Sequence, residues 1–186
     1  AFDGKSKYDV ISPGDLLHCD FGISYLTLNT DCQELAYVLK PEEIEAPKFL
    51  VAALAQGNAV QDHLTQNYKK GRTGNAILKQ ALADSKAAGL RPQIYTHPLG
   101  LFGHSAGTTI GMWDAQEGVS GSGDHPLQEE TVYAIELNAK VFIPEWGKDV
   151  RVMLEEAGYF GADGFRYVNG RQTEYILIGN KRSHLK

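Results

Sequence analysis

The sequence predicts a mixed α/β fold of the α+β kind in one domain, on three observations. Strand-like runs rich in β-branched and aromatic residues stand near both ends: Leu16 to Ile23 and Tyr25 to Leu39 early, Thr131 to Ile143 and Phe165 to Ile178 late. Two helical repeats lie between them, from Pro41 to Gly89. At 186 residues the chain has the length of one domain, and a compact chain of that size buries roughly 70% of the surface it exposes when unfolded.

Composition narrows the class. A hydrophobic share of 42%, a charged share of 22% and the lack of any apolar run of membrane length describe a soluble protein with no membrane partner. The net charge of -5 and a basic excess confined to the tail from Lys181 to Lys186 argue against nucleic acid. Cys19 and Cys32 are too few for a disulfide scaffold and lack Cys-x-x-Cys spacing. The segment from Ala1 to Tyr8 has no apolar signal core, which suits a removed signal peptide, an upstream domain or a cleaved chain equally. Compartment stays open between the cytoplasm and, after signal removal, the periplasm or the exterior.

In chain order, Ile11-Ser-Pro-Gly-Asp15 is a turn signal, and the run after it reads as a strand ending near Gly22. A fold-back near Tyr25-Leu26 would set Asp20 opposite Asp31 on one face and Cys19 opposite Cys32 on the other. Leu50, Ala53, Leu54, Gly57, Val60 and Leu64 mark the first helix, with Glu42, Glu43 and Glu45 near its start and Pro47 in its first turn. His63 on that helix reads as a surface residue. Thr73 caps a second helix that runs through Ile77, Leu78, Ala81 and Leu82 and stops at Gly89. Gln93 to Thr96 is a short strand, and Glu117 to Leu127 is a loop. Its Gly118-x-x-Gly-x-Gly123 lacks the Lys-Ser or Lys-Thr and the helix of a phosphate loop. Thr131 to Ile143 is the clearest strand, Val150 to Glu156 reads as a helical turn, and Phe165 to Ile178 is a strand with a turn at Asn169-Gly170.

The chemistry gathers around a glycine-rich stretch, Tyr95 to Asp114, that carries His97 and His104. Asp20 and Asp31 precede it on strand-like segments, and Glu136 and Glu174 follow. Each acid alone reads equally well as a residue on the wet face of a strand. Together, four carboxylates and a neutral imidazole carry a formal charge of -4, which two divalent cations cancel. A set of mostly oxygen ligands with one nitrogen suits Mn, Fe or Co. Two such metals sharing a hydroxide can attack a carbonyl, which is hydrolase chemistry.

Asp20-x10-Asp31, His97-Pro-Leu-Gly with His104 seven residues later, Ala-Ile-Glu136 and Arg-Gln-Thr-Glu174 resemble the ordered metal-site motifs of the pita-bread metallopeptidases. That superfamily holds methionine aminopeptidases, Xaa-Pro aminopeptidases and prolidases, and the chain looks closest to Xaa-Pro aminopeptidase-like members. The resemblance implies a curved, mainly antiparallel sheet with ligands on its concave face and helices on its convex side. It implies that Asp20 ligates one metal, His97 and Glu136 the other, and that Asp31 and Glu174 bridge both. Glu136 would also handle the proton of the attacking water, and His104 would hydrogen-bond the substrate and stabilise the oxyanion without binding metal. The implied cofactors are two divalent ions, manganese first, with cobalt, iron or zinc as alternatives. The implied reaction is hydrolysis of the N-terminal peptide bond of short peptides, with proline in second position.

Differences from the family pattern accompany the match. The family's N-terminal half-repeat supplies helices and a further substrate-side histidine before the first aspartate, so the chain is expected to be the larger C-terminal part of a longer protein. Glu136 is followed by Leu-Asn where many members have proline, and Glu174 by Tyr where many have aspartate. A homodimer and a separate or cleaved N-terminal segment both stay open. Two other readings compete. Gly103-His-Ser105-Ala-Gly107 matches a nucleophile elbow, with Asp124 and His184 as partners, although Thr108-Thr-Ile-Gly-Met is a poor helix start. The other is a pita-bread module without catalysis that binds peptides or proteins, and against it stands the complete series of five ligands.

Overall fold

The structure, a computed structural model, describes residues 10–179. It opens with a turn in which Asp15 N–H donates to the Ser12 carbonyl. Then β1 (Leu16–Phe21), β2 (Ser24–Tyr25), β3 (Leu28–Asn29) and β4 (Cys32–Val38) form an antiparallel ribbon that reverses at Leu26-Thr27. Leu26 takes a positive φ of 56° at that tip. The reversal lies one residue later than predicted, so the register shifts by two: Asp20 pairs with Gln33, Cys19 with Glu34 and Phe21 with Cys32. An even shift preserves the face each side chain points to. Asp31 therefore stays on the Asp20 side, and only the direct Asp20–Asp31 and Cys19–Cys32 pairings are lost.

Two helices follow, α1 (Lys48–Thr65) and α2 (Gly74–Ala87). The predicted apolar positions of both are buried. Pro47 stands at the N-cap and not inside the first turn, so Glu42, Glu43 and Glu45 precede the helix. Thr73 caps α2 as predicted, its side-chain oxygen accepting the Ala76 N–H at 3.2 Å. His63 is half-buried and not a free surface residue, because its Nδ1 meets Ser85 Oγ at 3.0 Å and ties α1 to α2.

The rest of the chain is sheet: β5 (Pro92–Ile94), β6 (His97–Leu99), β7 (Thr131–Ala134), β8 (Leu137–Ile143), β9 (Lys148–Leu154), β10 (Ala157–Gly161), β11 (Gly164–Tyr167) and β12 (Ile176–Ile178). β5-β8-β9 and β11-β10-β7-β6 are hydrogen-bonded groups with one continuous register. Ile94 faces Leu137 and, past the break, His97 faces Ala134. Leu137 faces Leu154 and, past the break, Ala134 faces Ala157. Backbone bonds cross the break as well, Tyr95 N–H to the Glu136 carbonyl at 3.0 Å and Ile135 N–H to the Glu156 carbonyl at 2.8 Å. The two groups are therefore halves of one antiparallel sheet bent along a line through Tyr95-Thr96, Ile135-Glu136 and Glu155-Glu156. β4 meets the same line, where Gln33 N–H donates to the Glu155 carbonyl at 3.1 Å.

The bend corrects three predictions. Thr131 to Ile143 is two strands interrupted at Ile135-Glu136. Val150 to Glu156 is extended, because Val150, Val152 and Leu154 alternate toward the helices, which only a period of two allows. Phe165 to Ile178 divides into β11, which hairpins with β10, and β12, which runs parallel to β4.

Helix α1 packs on β8 and β9, and α2 on β5. Leu137, Ala139, Val141, Val152 and Leu154 turn toward the helices and are buried. The opposite face carries Gln93, Asn138, Lys140, Arg151 and Met153. Gly57 allows the close seating of α1: a Cβ there would lie 2.8 Å from Leu154 Cδ1 and 3.0 Å from Val152 Cγ1. Gly57→Val should overpack this contact at a cost of about 1–3 kcal/mol and lower the thermal midpoint by roughly 2–12 °C. An unchanged midpoint in a thermal melt would contradict the seating of α1 on β9.

Candidate metal centre

The line of the bend is where the acids meet. Glu136 and Glu155 occupy facing positions in the interrupted β8–β9 ladder, His97 opens β6 just beyond it, and Asp31 lies in the gap between β3 and β4. Asp20 reaches the group from the end of β1. Asp20, Asp31 and Glu155 each offer an oxygen within 4.8 Å of the others. His97, Glu136 and Glu155 form a second such group, and Asp31, His97 and His104 a third.

His97 is buried and holds the centre of the cluster. Its Nε2 lies 3.7 Å from Glu136 Oε2, 3.7 Å from Glu155 Oε1 and 4.0 Å from Asp31 Oδ2. These are not ion pairs. Burial and the neighbouring His104 push the His97 pKa down to about 4, so the ring is neutral at ordinary pH. Its Nδ1 faces the Pro98 carbonyl at 3.3 Å, which assigns the proton to Nδ1 and leaves a lone pair on Nε2. Both Nε2 and Glu155 Oε1 are buried without a hydrogen-bond partner. A lone pair facing carboxylate oxygens is repulsive, and a cation between them would make every contact attractive. The donor set therefore fits a divalent metal.

The carboxyls respond to the same crowding. Burial, followed by Glu136 and Asp31, pushes Glu155 up to about 9. Burial pushes Glu136 up to about 7, with Asp20 and Asp31 adding to it and a Gln33 hydrogen bond opposing it. Asp31 is raised by burial and by Asp20. Gln33 is the fixed polar partner: its Nε2 donates to Glu155 Oε2 at 2.8 Å and to Glu136 Oε1 at 3.2 Å, and its Oε1 faces His18 Nε2 at 2.8 Å.

Of the five predicted ligands, Asp20, Asp31, His97 and Glu136 come together and Glu174 does not. Glu174 is exposed and lines a separate cavity of about 440 Å³ with Glu45, Lys48 and Val51. The chain is turned away before it by Gln172, whose side chain bonds both the N–H and the carbonyl of Leu35. Tyr175 then anchors to the Leu50 carbonyl on α1. Glu155 stands in the cluster with the other four. Its signal was present in sequence: an acid ending the alternation of Val150, Val152 and Leu154, followed by a second acid, Glu156, as the family pattern has after its last ligand.

His104 stands beside His97 with ring centroids 4.2 Å apart and stacks on Tyr95 at 5.9 Å. Ser105 Oγ donates to the Phe102 carbonyl at 2.9 Å within an irregular loop that begins after β6 ends at Leu99, so no strand leads directly into Ser105 and no helix follows it. Asp124 is occupied by Gly121 N–H and Asn75 Nδ2, and His184 lies outside the described residues. The nucleophile-elbow geometry is therefore not formed around Ser105.

The sequence model of metallopeptidase family M24 matches residues 3–157, most of the chain. The chain belongs to metallopeptidase family M24. The match takes in Glu155 and ends before Glu174. Solved structures similar to this M24 chain include an X-Pro aminopeptidase from Thermotoga maritima, at 18% identity and a TM-score of 0.68 over 95% of this chain and 45% of that one. A prolidase from Pyrococcus furiosus matches at 20% identity and 0.61, over 87% and 43%. A methionine aminopeptidase from Rickettsia prowazekii matches at 14% and 0.62, over 84% and 65%. No curated protein matches by sequence. The fold of this M24 chain is thus the pita-bread fold, and the chain spans less than half the length of the X-Pro aminopeptidase and the prolidase.

A raised carboxyl keeps its proton in the folded state after the unfolded chain has lost it. Glu136 and Glu155 therefore stabilise the metal-free protein at low pH, and their contribution is lost as pH rises from 4.5 through about 7 and about 9. His97, lowered from 6.5 to about 4, gives the opposite slope, but only between those values. The thermal midpoint of EDTA-treated protein should consequently fall between pH 6.5 and 9, and a divalent cation should remove that fall by taking the place of the protons. A flat metal-free profile would contradict the crowding.

Proposed function

We propose that this chain carries the centre of a dinuclear metal-dependent aminopeptidase that hydrolyses the N-terminal bond of short peptides, Xaa-Pro substrates foremost. The observation that supports this most directly is the facing pair of orphaned atoms, His97 Nε2 and Glu155 Oε1, among four converging carboxylates. Asp20, Asp31, His97, Glu136 and Glu155 would hold two divalent ions, manganese being our first choice, with cobalt, iron or zinc as alternatives. Such ions polarise a scissile carbonyl and make water acidic enough to attack it at neutral pH.

The protein's own residues supply the rest. Glu136 has one oxygen held by Gln33 and the other toward the cluster, where its carboxylate is placed to take a proton from water and return it to the leaving amine. His104, exposed and steadied by its stack on Tyr95, would donate a hydrogen bond to the substrate carbonyl as negative charge develops there. Gln33 keeps both glutamates oriented.

Three variants test the assignment. Glu155→Gln should lower the metal content of dialysed protein and its turnover together. Glu136→Gln should cut turnover of an Ala-Pro peptide by about a hundredfold or more with the melt largely unchanged, and Glu174→Gln should leave metal content and turnover near wild type. Metal loss in Glu174→Gln with none in Glu155→Gln would reverse the fifth ligand. A wild-type chain that binds metal and cleaves no peptide would favour a non-catalytic binding module, and hydrolysis resistant to EDTA would remove the metal reading.

A further inference from the structure

Beside the carboxylate cluster, a cavity of about 430 Å³ runs along the polar face of β5, β8 and β9. Asp20 and Glu136 line its near end, Tyr95 and Trp113 its wall, and Arg151 its far end. Among the described residues, Arg151 differs from the other arginines. Arg91 pairs with Asp149, Arg171 with Asp62, Arg72 bonds Asn67 and the Ala76 carbonyl, and Arg166 lies over the Tyr159 ring. Arg151 has no hydrogen bond, ion pair or ring partner there. Its register partner across the ladder is Lys140, a like charge directly opposite, which is an unfavourable pairing. Lys140 has Asp149 for relief at 3.2 Å, and Arg151 has none.

The basic character extends past Arg151. A second cavity of about 360 Å³ shares Gln93, Asn138 and Arg151 with the first and adds Lys86, Arg91 and Lys140. With Asp149 as the acid paired to this group, the far end keeps an excess of positive charge on a chain whose formal net charge is -5. The groove is thus bipolar, acidic at the catalytic end and basic at the other. The four-residue separation of Glu155 and Arg151 along one strand is roughly 13 Å, which an extended peptide covers in about four residues and fewer once the arginine side chain reaches back.

Resting on the peptidase reading above, we propose that this groove takes short peptides whose departing portion carries a carboxylate, and that Arg151 is the specificity residue that binds it. The N-terminal ammonium lies toward the acidic cluster, the backbone runs over Asn138 and Met153, and the guanidinium fork donates to the carboxylate oxygens. A free C-terminus and an acidic side chain present the same group.

The test compares metal-loaded wild type, Arg151→Gln and Arg151→Lys on Ala-Pro-Ala and its C-terminal amide. Ala-Pro-Glu-amide and Ala-Pro-Gln-amide then separate the two carboxylate sources. Both kcat/KM and calorimetric Kd are read. Wild type should prefer the carboxylate member of at least one pair by on the order of ten- to a hundredfold. Arg151→Gln should bring that ratio close to one while leaving the neutral peptides unaffected, and Arg151→Lys should restore part of it. The melt of Arg151→Gln should not fall, since removing a charge opposite Lys140 relieves a repulsion, whereas a merely structural arginine would lower it. Equal use of charged and neutral peptides by wild type, or a preference that survives in Arg151→Gln, overturns the inference and leaves the peptidase reading standing. Arg151-dependent binding without any hydrolysis does the reverse.

Discussion

One line of backbone carries this molecule's chemistry. Three neighbouring strands break at the same level while keeping their register, and the residues at or beside the break are Glu136, Glu155 and His97. Cross-strand partners and residues two apart share a face, so the unbroken register sets His97, Glu136 and Glu155 on the same side of the sheet. Asp20 and Asp31 arrive on that side from the first ribbon. The gathered charges repel each other, and the orphaned nitrogen and oxygen at their centre leave a site suited to cations.

Such crowding needs a stiff frame. The convex face meets that need with Leu137, Ala139, Val152 and Leu154 packed under α1, and with Gly57 drawing the helix close. Burying this apolar face at about 25 cal/mol per Å² offsets the electrostatic cost of the concave one. Within the cluster Gln33 does the orienting, because one amide reaches two carboxylates and its own oxygen is held by His18. The Pro98 carbonyl fixes the His97 tautomer in the same way.

Much of this was legible in sequence. Helical period and the Thr73 cap marked both helices, since these signals are local. Asp20, Asp31, His97 and Glu136 stood out as acids and an imidazole in strand-like or glycine-rich surroundings. Glu155 did not, because a run of five alternating residues before a pair of glutamates also suits a helical turn, and the choice depends on which neighbours bury Val152 and Leu154. Glu174 drew attention through its place in a strand-like run near the end of the chain, but Gln172 and Tyr175 tie that segment toward β4 and α1. Gln33 was silent, as a neutral amide carries no charge pattern to notice.

By itself, then, the sequence determined both helices, most of the strand segments, the family and most of the candidate ligands, because period, capping and motif order are written over short stretches. The tertiary structure alone decided which acid completes the cluster, where the sheet bends, and that Arg151 faces the same groove without a partner. Those facts depend on pairings across more than a hundred residues of chain, such as Gln33 with Glu155, separated by 122 positions. No local pattern records which of several acids a fold will bring to one point.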